Sequence, residues 1–371
     1  MTSGTDKRGL ANRSLVPSAP KFVVKVGSSS LTLSDGTLNH EQLQSLSETL
    51  AEAYRRDQRF ALVSSGAVAA GVGSLGITSR PTDMSGLQAA AMVGQTKLMA
   101  EYSERFAAHG IGIGQVLLTA DDVIRRNHYR NARLALDKLL TMGIVPIVNE
   151  NDAVATTELR LGDNDRLAAL IAHLIDADFL LLLTDVDALY SGPPKEPGSR
   201  RIPFVGDMSE LQKYSITGRG SSFGTGGMAT KVTAARMATA FGIPTIVTSA
   251  DNLGKALAGE PVGTWFATTG NKSNARALWI AHAAQSSGQV RLDAGAVTAL
   301  ESGGNSLLAV GITDVVGTFD PGDPIDIIGP GGNLVARGLA GWDSERLRGS
   351  AGVAGAGRPA VHVDDMVLMR Q

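Results

Sequence analysis

Six short apolar runs that do not alternate with polar residues do most to limit what this chain can fold into. They read KFVVKV at 21–26, FALV at 60–63, IGQVLL at 113–118, IVPIV at 144–148, FLLLL at 179–183 and TIV at 245–247. A strand with one wetted face would alternate, so continuous runs predict strands covered on both faces. The stretches between them have helical periodicity. Leu43, Leu46, Leu50 and Ala53 share one stripe over residues 41–56, and a second helical region spans about residues 87–109. Buried strands alternating with helices predict an α/β fold, a three-layer α-β-α sandwich around a mainly parallel sheet.

Polar residues collect just after the strands, at Gly27–Ser30, Ser64–Gly66, Asn149–Asp152 and Thr184–Asp187. Open α/β sheets bind ligands at the carboxyl ends of their strands, so these four loops are expected to build one site. Near residue 275 the rhythm changes to short, glycine-punctuated β-like segments, which predict a small C-terminal barrel-like β unit. The expected organisation is a disordered tail over 1–20, an α/β domain over 21–275, a linker over 276–288 and the β unit over 289–371.

Composition excludes several chemistries. The 371 residues contain no cysteine, which removes disulfides, thiolate metal sites and cysteine nucleophiles together. A net charge of -2 gives no general attraction to nucleic acid or an anionic membrane, and no apolar run is long enough to span a bilayer. The cytoplasm is the expected compartment. The six histidines show no paired ligand spacing.

Five segments carry chemistry. Lys25-Val-Gly-Ser-Ser-Ser30 places a cation at a strand end before a loop able to cradle phosphate; a solvated lysine and an ordinary turn also suit it. Gly224-Thr225-Gly226-Gly227-Met228-Ala229-Thr230-Lys231 aims a glycine-rich turn and a helix N-terminus at an anion, without Walker A spacing. Asn149-Glu-Asn-Asp152 and Gly162-Asp-Asn164-Asp165 are dense polar clusters, although Asp163 or Asn164 could serve as a helix cap. Thr184-Asp185-Val-Asp187 ends a buried strand, as a metal or nucleotide contact or as an Asp-rich turn.

In order, Val-Val-Lys25-Val-Gly-Ser-Ser, Val-Ser-Ser65-Gly-Ala-Val, Val-Asn-Glu-Asn-Asp152-Ala-Val, Gly-Asp-Asn164-Asp165, Leu-Leu-Thr184-Asp185 and the Thr225–Lys231 loop resemble the amino-acid kinase superfamily, in its glutamate-phosphorylating branch. The C-terminal segment resembles a PUA domain. The resemblance implies transfer of the ATP γ-phosphoryl group to the γ-carboxylate of L-glutamate, opening proline synthesis, with acetylglutamate or aspartate as alternative acceptors. It implies Lys25 and Lys231 as the catalytic cations, Asp165 as the residue orienting both, and Ser65, Asp152 and Asn164 as glutamate ligands. ATP would be held by Lys25, Thr184, Asp185, Thr225, Gly226, Gly227, Met228, Ala229, Thr230 and Lys231. Magnesium would ride on the nucleotide, with no protein ligand assigned. Also implied are proline as a feedback inhibitor, a downstream reductase consuming the glutamyl phosphate, and a homodimer or homotetramer. An RNA-binding role for the C-terminal unit is disfavoured by its charge, since residues 288–371 hold ten acidic residues against six arginines and no lysine.

Overall fold

The structure is a computed structural model and describes residues 12–33, 37–77, 80–119, 122, 126–153, 164–213, 227–268, 286–353 and 358–369. The chain divides into two units, Met1–Lys272 and Ser273–Gln371.

In the first unit the strands are β1 (Lys21–Val26), β2 (Arg59–Ser64), β3 (Gly112–Leu118), β4 (Ile144–Glu150), β5 (Phe179–Thr184), β6 (Leu189–Tyr190), β7 (Arg201–Ile202), β8 (Phe204–Val205), β9 (Thr245–Ser249) and β10 (Thr264–Phe266). Eight of them form a sheet in the order β3-β4-β2-β1-β5-β9-β10-β8. Every neighbouring pair is parallel except β9 with β10. The helices are α1 (Ser28–Leu31), α2 (His40–Arg55), α3 (Ala67–Ser74), α4 (Met84–Ala107), α5 (Arg126–Thr141), α6 (Asn164–Leu174), α7 (Met228–Ala240) and α8 (Leu253–Leu257). The Gly27–Ser30 segment, expected as an open loop, instead winds into the single turn of α1. No described helix is long and apolar enough to cross a membrane.

The core is registered by aromatic side chains at the amino ends of three adjacent strands. Phe22 lies opposite Phe60 and Phe179 in the ladders, and its ring stacks on theirs at 5.4 and 5.0 Å. Side chains alternate along a strand, so Lys25 leaves β1 on the face opposite Phe22, three residues nearer the carboxyl end. The strands that end in the predicted polar loops, β4, β2, β1 and β5, are contiguous and parallel. Their carboxyl ends therefore share one sheet edge.

Helices α3 and α4 meet backbone to backbone. A Cβ on Gly94 would lie 1.7 Å from the Ala67 carbonyl oxygen, and one on Gly71 would lie 1.8 Å from that of Ala90. Only glycine permits this approach, and it fixes α4 against the turn that follows β2.

The second unit has its own five-stranded sheet, β12-β11-β13-β14-β15, from Gly288–Leu292 (β11), Ile312–Gly317 (β12), Pro324–Ile328 (β13), Leu334–Leu339 (β14) and Met366–Leu368 (β15). Its separate core includes Val290, Ile325, Ile327, Trp342 and Val361. The expectation of β segments alone is corrected, because α9 (Ala294–Glu301) and α10 (Ser344–Ser350) also belong to this unit. Both begin at an aspartate, Asp293 and Asp343, whose side chain accepts from a backbone N–H in the first turn.

Candidate active site

At the carboxyl edge, one buried carboxylate joins three elements. Asp165 lies in the first turn of α6 and is fully buried. Its Oδ1 is 2.7 Å from Lys25 Nζ, from β1, and its Oδ2 is 3.2 Å from Lys231 Nζ, from the first turns of α7. Neither lysine is solvated: Lys25 is 3% exposed and Lys231 5%. The solvated-lysine reading of the 25–30 segment is thereby corrected. Thr230 Oγ donates to Asp165 Oδ2 at 2.9 Å and accepts from the Gly227 N–H at 3.1 Å. It also lies 2.7 Å from the Gly227 carbonyl, but its single proton is better spent on the charged acceptor.

Burial alone would raise the Asp165 carboxyl, yet the Lys25 and Lys231 charges, aided by hydrogen bonds from Lys25 and Thr230, outweigh it and lower the pKa to about 2. The helix N-terminus also favours a carboxylate here. Two cations against one anion leave this cluster with an excess positive charge in a water-poor setting. Such a surplus is suited to an incoming phosphoryl group.

Beside it runs a chain of amides and hydroxyls. Asn164 precedes Asp165 and does not cap α6. Its Nδ2 donates to Asn149 Oδ1 at 2.8 Å, Ser65 Oγ at 3.0 Å and the Ser64 carbonyl at 3.3 Å. Asn149, at the end of β4, donates through Nδ2 to Gln95 Oε1 of α4 at 2.9 Å. Ser64 Oγ pairs with the buried Tyr102 hydroxyl at 2.9 Å, which supports the β2 end from behind. Ser65 is followed by Gly66 at φ 99°, a left-handed turn that swings the chain from β2 into α3. Asp152 lines a 360 Å³ cavity together with Asn149, Gln95, Asn151 and the apolar Met92 and Met99.

Thr184 is buried at the end of β5 and donates to Asp185 Oδ1 at 2.9 Å. Thr225 and Gly226 lie outside the described residues. Gly227 is the N-cap of α7, with Met228, Ala229, Thr230 and Lys231 in its opening turns. No group of three or more His, Cys, Asp or Glu side chains able to hold a metal occurs among the described residues.

The structure thus gathers Lys25, Asp165, Lys231 and Thr230 in one cluster, and Ser65 and Asn164 in the adjoining network. Asp152 lines the cavity that Asn149 and Gln95 also line. Sequence reasoning missed Gln95 and Tyr102, and gave Ser64 and Asn149 no role of their own. A polar residue amid the small residues of α4 is the sequence signal at Gln95, but Gln88 shares it and it names no partner.

The model of the Amino acid kinase family matches residues 20–249, and that of the PUA domain residues 288–355. Proteins named glutamate 5-kinase from Bifidobacterium longum, Salinispora arenicola and Streptomyces coelicolor are 48%, 50% and 49% identical, each over 96% of this chain and 98%, 100% and 98% of their own. Among solved structures, a carbamate kinase from Giardia lamblia bound to AMP-PNP superposes with a TM-score of 0.51 over 68% of this chain and 99% of its own. At 17% identity that likeness speaks for the fold alone.

Proposed function

The chain belongs to the amino acid kinase family, and from that premise we propose that it transfers the γ-phosphoryl group of ATP to the γ-carboxylate of L-glutamate. A carboxylate oxygen of glutamate bonds to the γ-phosphorus while the bond to the β,γ-bridging oxygen breaks, giving γ-glutamyl phosphate and ADP. The attacking carboxylate is already ionised at neutral pH, so the reaction needs alignment and charge relief, not a base. Lys25 and Lys231 supply the charge relief. Asp165 holds both ammonium groups in place and exchanges no proton. Ser65, Asp152 and Asn164 hold the glutamate; Thr184, Asp185 and residues 225–231 hold the nucleotide. The observation that supports this reading most is the pair of buried lysines on the two oxygens of one carboxylate.

Magnesium would arrive on the nucleotide, held by its phosphate oxygens and water, with no protein ligand assigned. When bound it would neutralise phosphate charge. The product is a mixed anhydride, so a reductase that consumes it promptly is the expected partner; a product stable for hours in buffer would remove that need. Proline shares the α-amino-acid moiety of glutamate and is the expected inhibitor, an idea lost if saturating proline leaves turnover unchanged. The family reading also includes assembly as a dimer or tetramer, which light scattering would test.

The deciding experiment offers ATP-Mg, hydroxylamine and a panel of acids to the purified chain and measures hydroxamate. Glutamate should give the product, with aspartate and N-acetylglutamate far behind. A preference for either of those would replace the substrate while leaving the fold untouched.

A further inference from the structure

The amide network has a fixed polarity, and the polarity has a direction. The Glu150 backbone N–H can only donate, and it points at Asn149 Oδ1 from 2.9 Å. That pins the Asn149 oxygen on one side and turns its Nδ2 toward Gln95 Oε1. Asn149 Oδ1 in turn requires the donor end of Asn164, which the Ser64 carbonyl also faces. Flipping the Asn164 amide would set oxygen against oxygen at both places. Its Oδ1 is consequently turned the other way, where it is shielded from solvent and has no hydrogen-bond partner among the described residues. An orphaned, buried acceptor beside a substrate site calls for a donor from the substrate.

Gln95 ends this chain. It is 8% exposed and lines the same cavity as Asn149 and Asp152. Its neighbour Gly94 is held against the first turn of α3, directly after Ser65 and Gly66. Both ends of the network, Ser65 on one side and Gln95 on the other, are therefore locked to each other by the glycine contact of α3 with α4.

We propose that Gln95 is a positioning residue that, through Asn149, holds Asn164 with its Oδ1 facing the substrate's α-ammonium group and so sets the preference for an α-amino acid. The proposal rests on the reading above that Asn164 holds glutamate. Gln95 never touches the reacting atoms. Its effect is confined to how well the enzyme tells an amino dicarboxylate from a plain one.

The test uses the full chain, with Gln95→Met and Gln95→Glu, and compares L-glutamate with glutarate, which lacks the ammonium group. Gln95→Met keeps the bulk and removes the acceptor. Its KM for glutamate should rise about three- to tenfold, the range for one lost hydrogen bond, with kcat and the KM for ATP little changed. For glutarate, kcat/KM should stay at the unmodified enzyme's value. Gln95→Glu still offers an oxygen to Asn149 Nδ2 and should recover most of the preference. The ratio of the two kcat/KM values does not depend on the fraction of enzyme folded, so a poorly folding variant still reports. An equal loss for both acids, or no change for either, overturns the positioning role. An unmodified enzyme inactive on glutamate but active on another acid would instead overturn the substrate reading first, and this proposal with it.

Discussion

Replacing Asp165 by asparagine keeps the shape of the side chain and removes the charge that holds two buried lysines together. At 2.7 and 3.2 Å, and with an effective dielectric of about 20, each ammonium is attracted by about 5–6 kcal/mol before desolvation is subtracted. Removing one partner of a buried ionic cluster costs about 3–5 kcal/mol net, because the remaining charges stay buried without compensation. At roughly 2–4 °C per kcal/mol for a unit of this size, the melting temperature should fall by on the order of 10 °C. Thermal melts of Asp165→Asn beside the unmodified protein at pH 7 read this loss directly. A variant that melts within a degree or two of the parent would refute the view that this carboxylate carries the charge of both lysines.

Lys25→Ala and Lys231→Ala should each lower kcat by about a hundred- to a thousandfold while folding is preserved, as expected for loss of one preorganised donor; near-normal turnover in either would remove that lysine from the mechanism. Because the Asp165 carboxyl is lowered to about 2 in the folded state, against about 3.9 unfolded, its contribution to stability is present above pH 4 and lost as pH falls toward 2. Urea midpoints between pH 5 and pH 2 should decline more steeply for the parent than for Asp165→Asn. Gly94→Ala puts a methyl 1.7 Å from the Ala67 carbonyl oxygen and must push α3 from α4, at about 1–3 kcal/mol or more. Its melting temperature should drop and its KM for glutamate should rise with it; an unchanged KM would separate the helix contact from the site.

What the sequence made legible follows from the range of the signals involved. The unalternating runs at 21–26, 144–148 and 179–183 announce buried parallel strands, and those strands occur where the runs are. Pattern reasoning also found Asp165 and the two lysines, since each stands at a strand or helix end within a dense polar motif. It could not show that Lys25 is dry. Whether a lysine at a strand end reaches water depends on the helix packed over it, and α6 lies more than a hundred residues away along the chain. Gln95 was invisible for a related reason. Its role depends on a partner 54 residues on and on the glycine contact that brings α4 close enough to reach it. The two helices of the C-terminal unit escaped because they are short, and their caps, Asp293 and Asp343, are common turn residues too.

Asn164 and Asp165 are consecutive, and that adjacency explains how one helix end can serve two tasks. Successive residues on an α-helix point about 100° apart and rise about 1.5 Å. Asn164 turns toward β2 and β4, into the network of hydroxyls and amides, while Asp165 turns toward β1 and α7, into the lysines. The first environment is neutral and directional, suited to recognising which groups a substrate carries. The second is charged and nearly isotropic, suited to stabilising a phosphoryl group in flight. Placing them on neighbouring residues of one rigid turn fixes the distance between recognition and chemistry without a loop in between. On the proposed function, a substrate one methylene shorter, such as aspartate, should satisfy either environment but not both at once. Discrimination of this kind costs kcat as well as KM, because the acid that binds well is then held short of the phosphorus. Steady-state kinetics with aspartate should accordingly show a depressed kcat at saturation; a weak KM with full kcat would mean that the spacing across α6 does not measure the substrate.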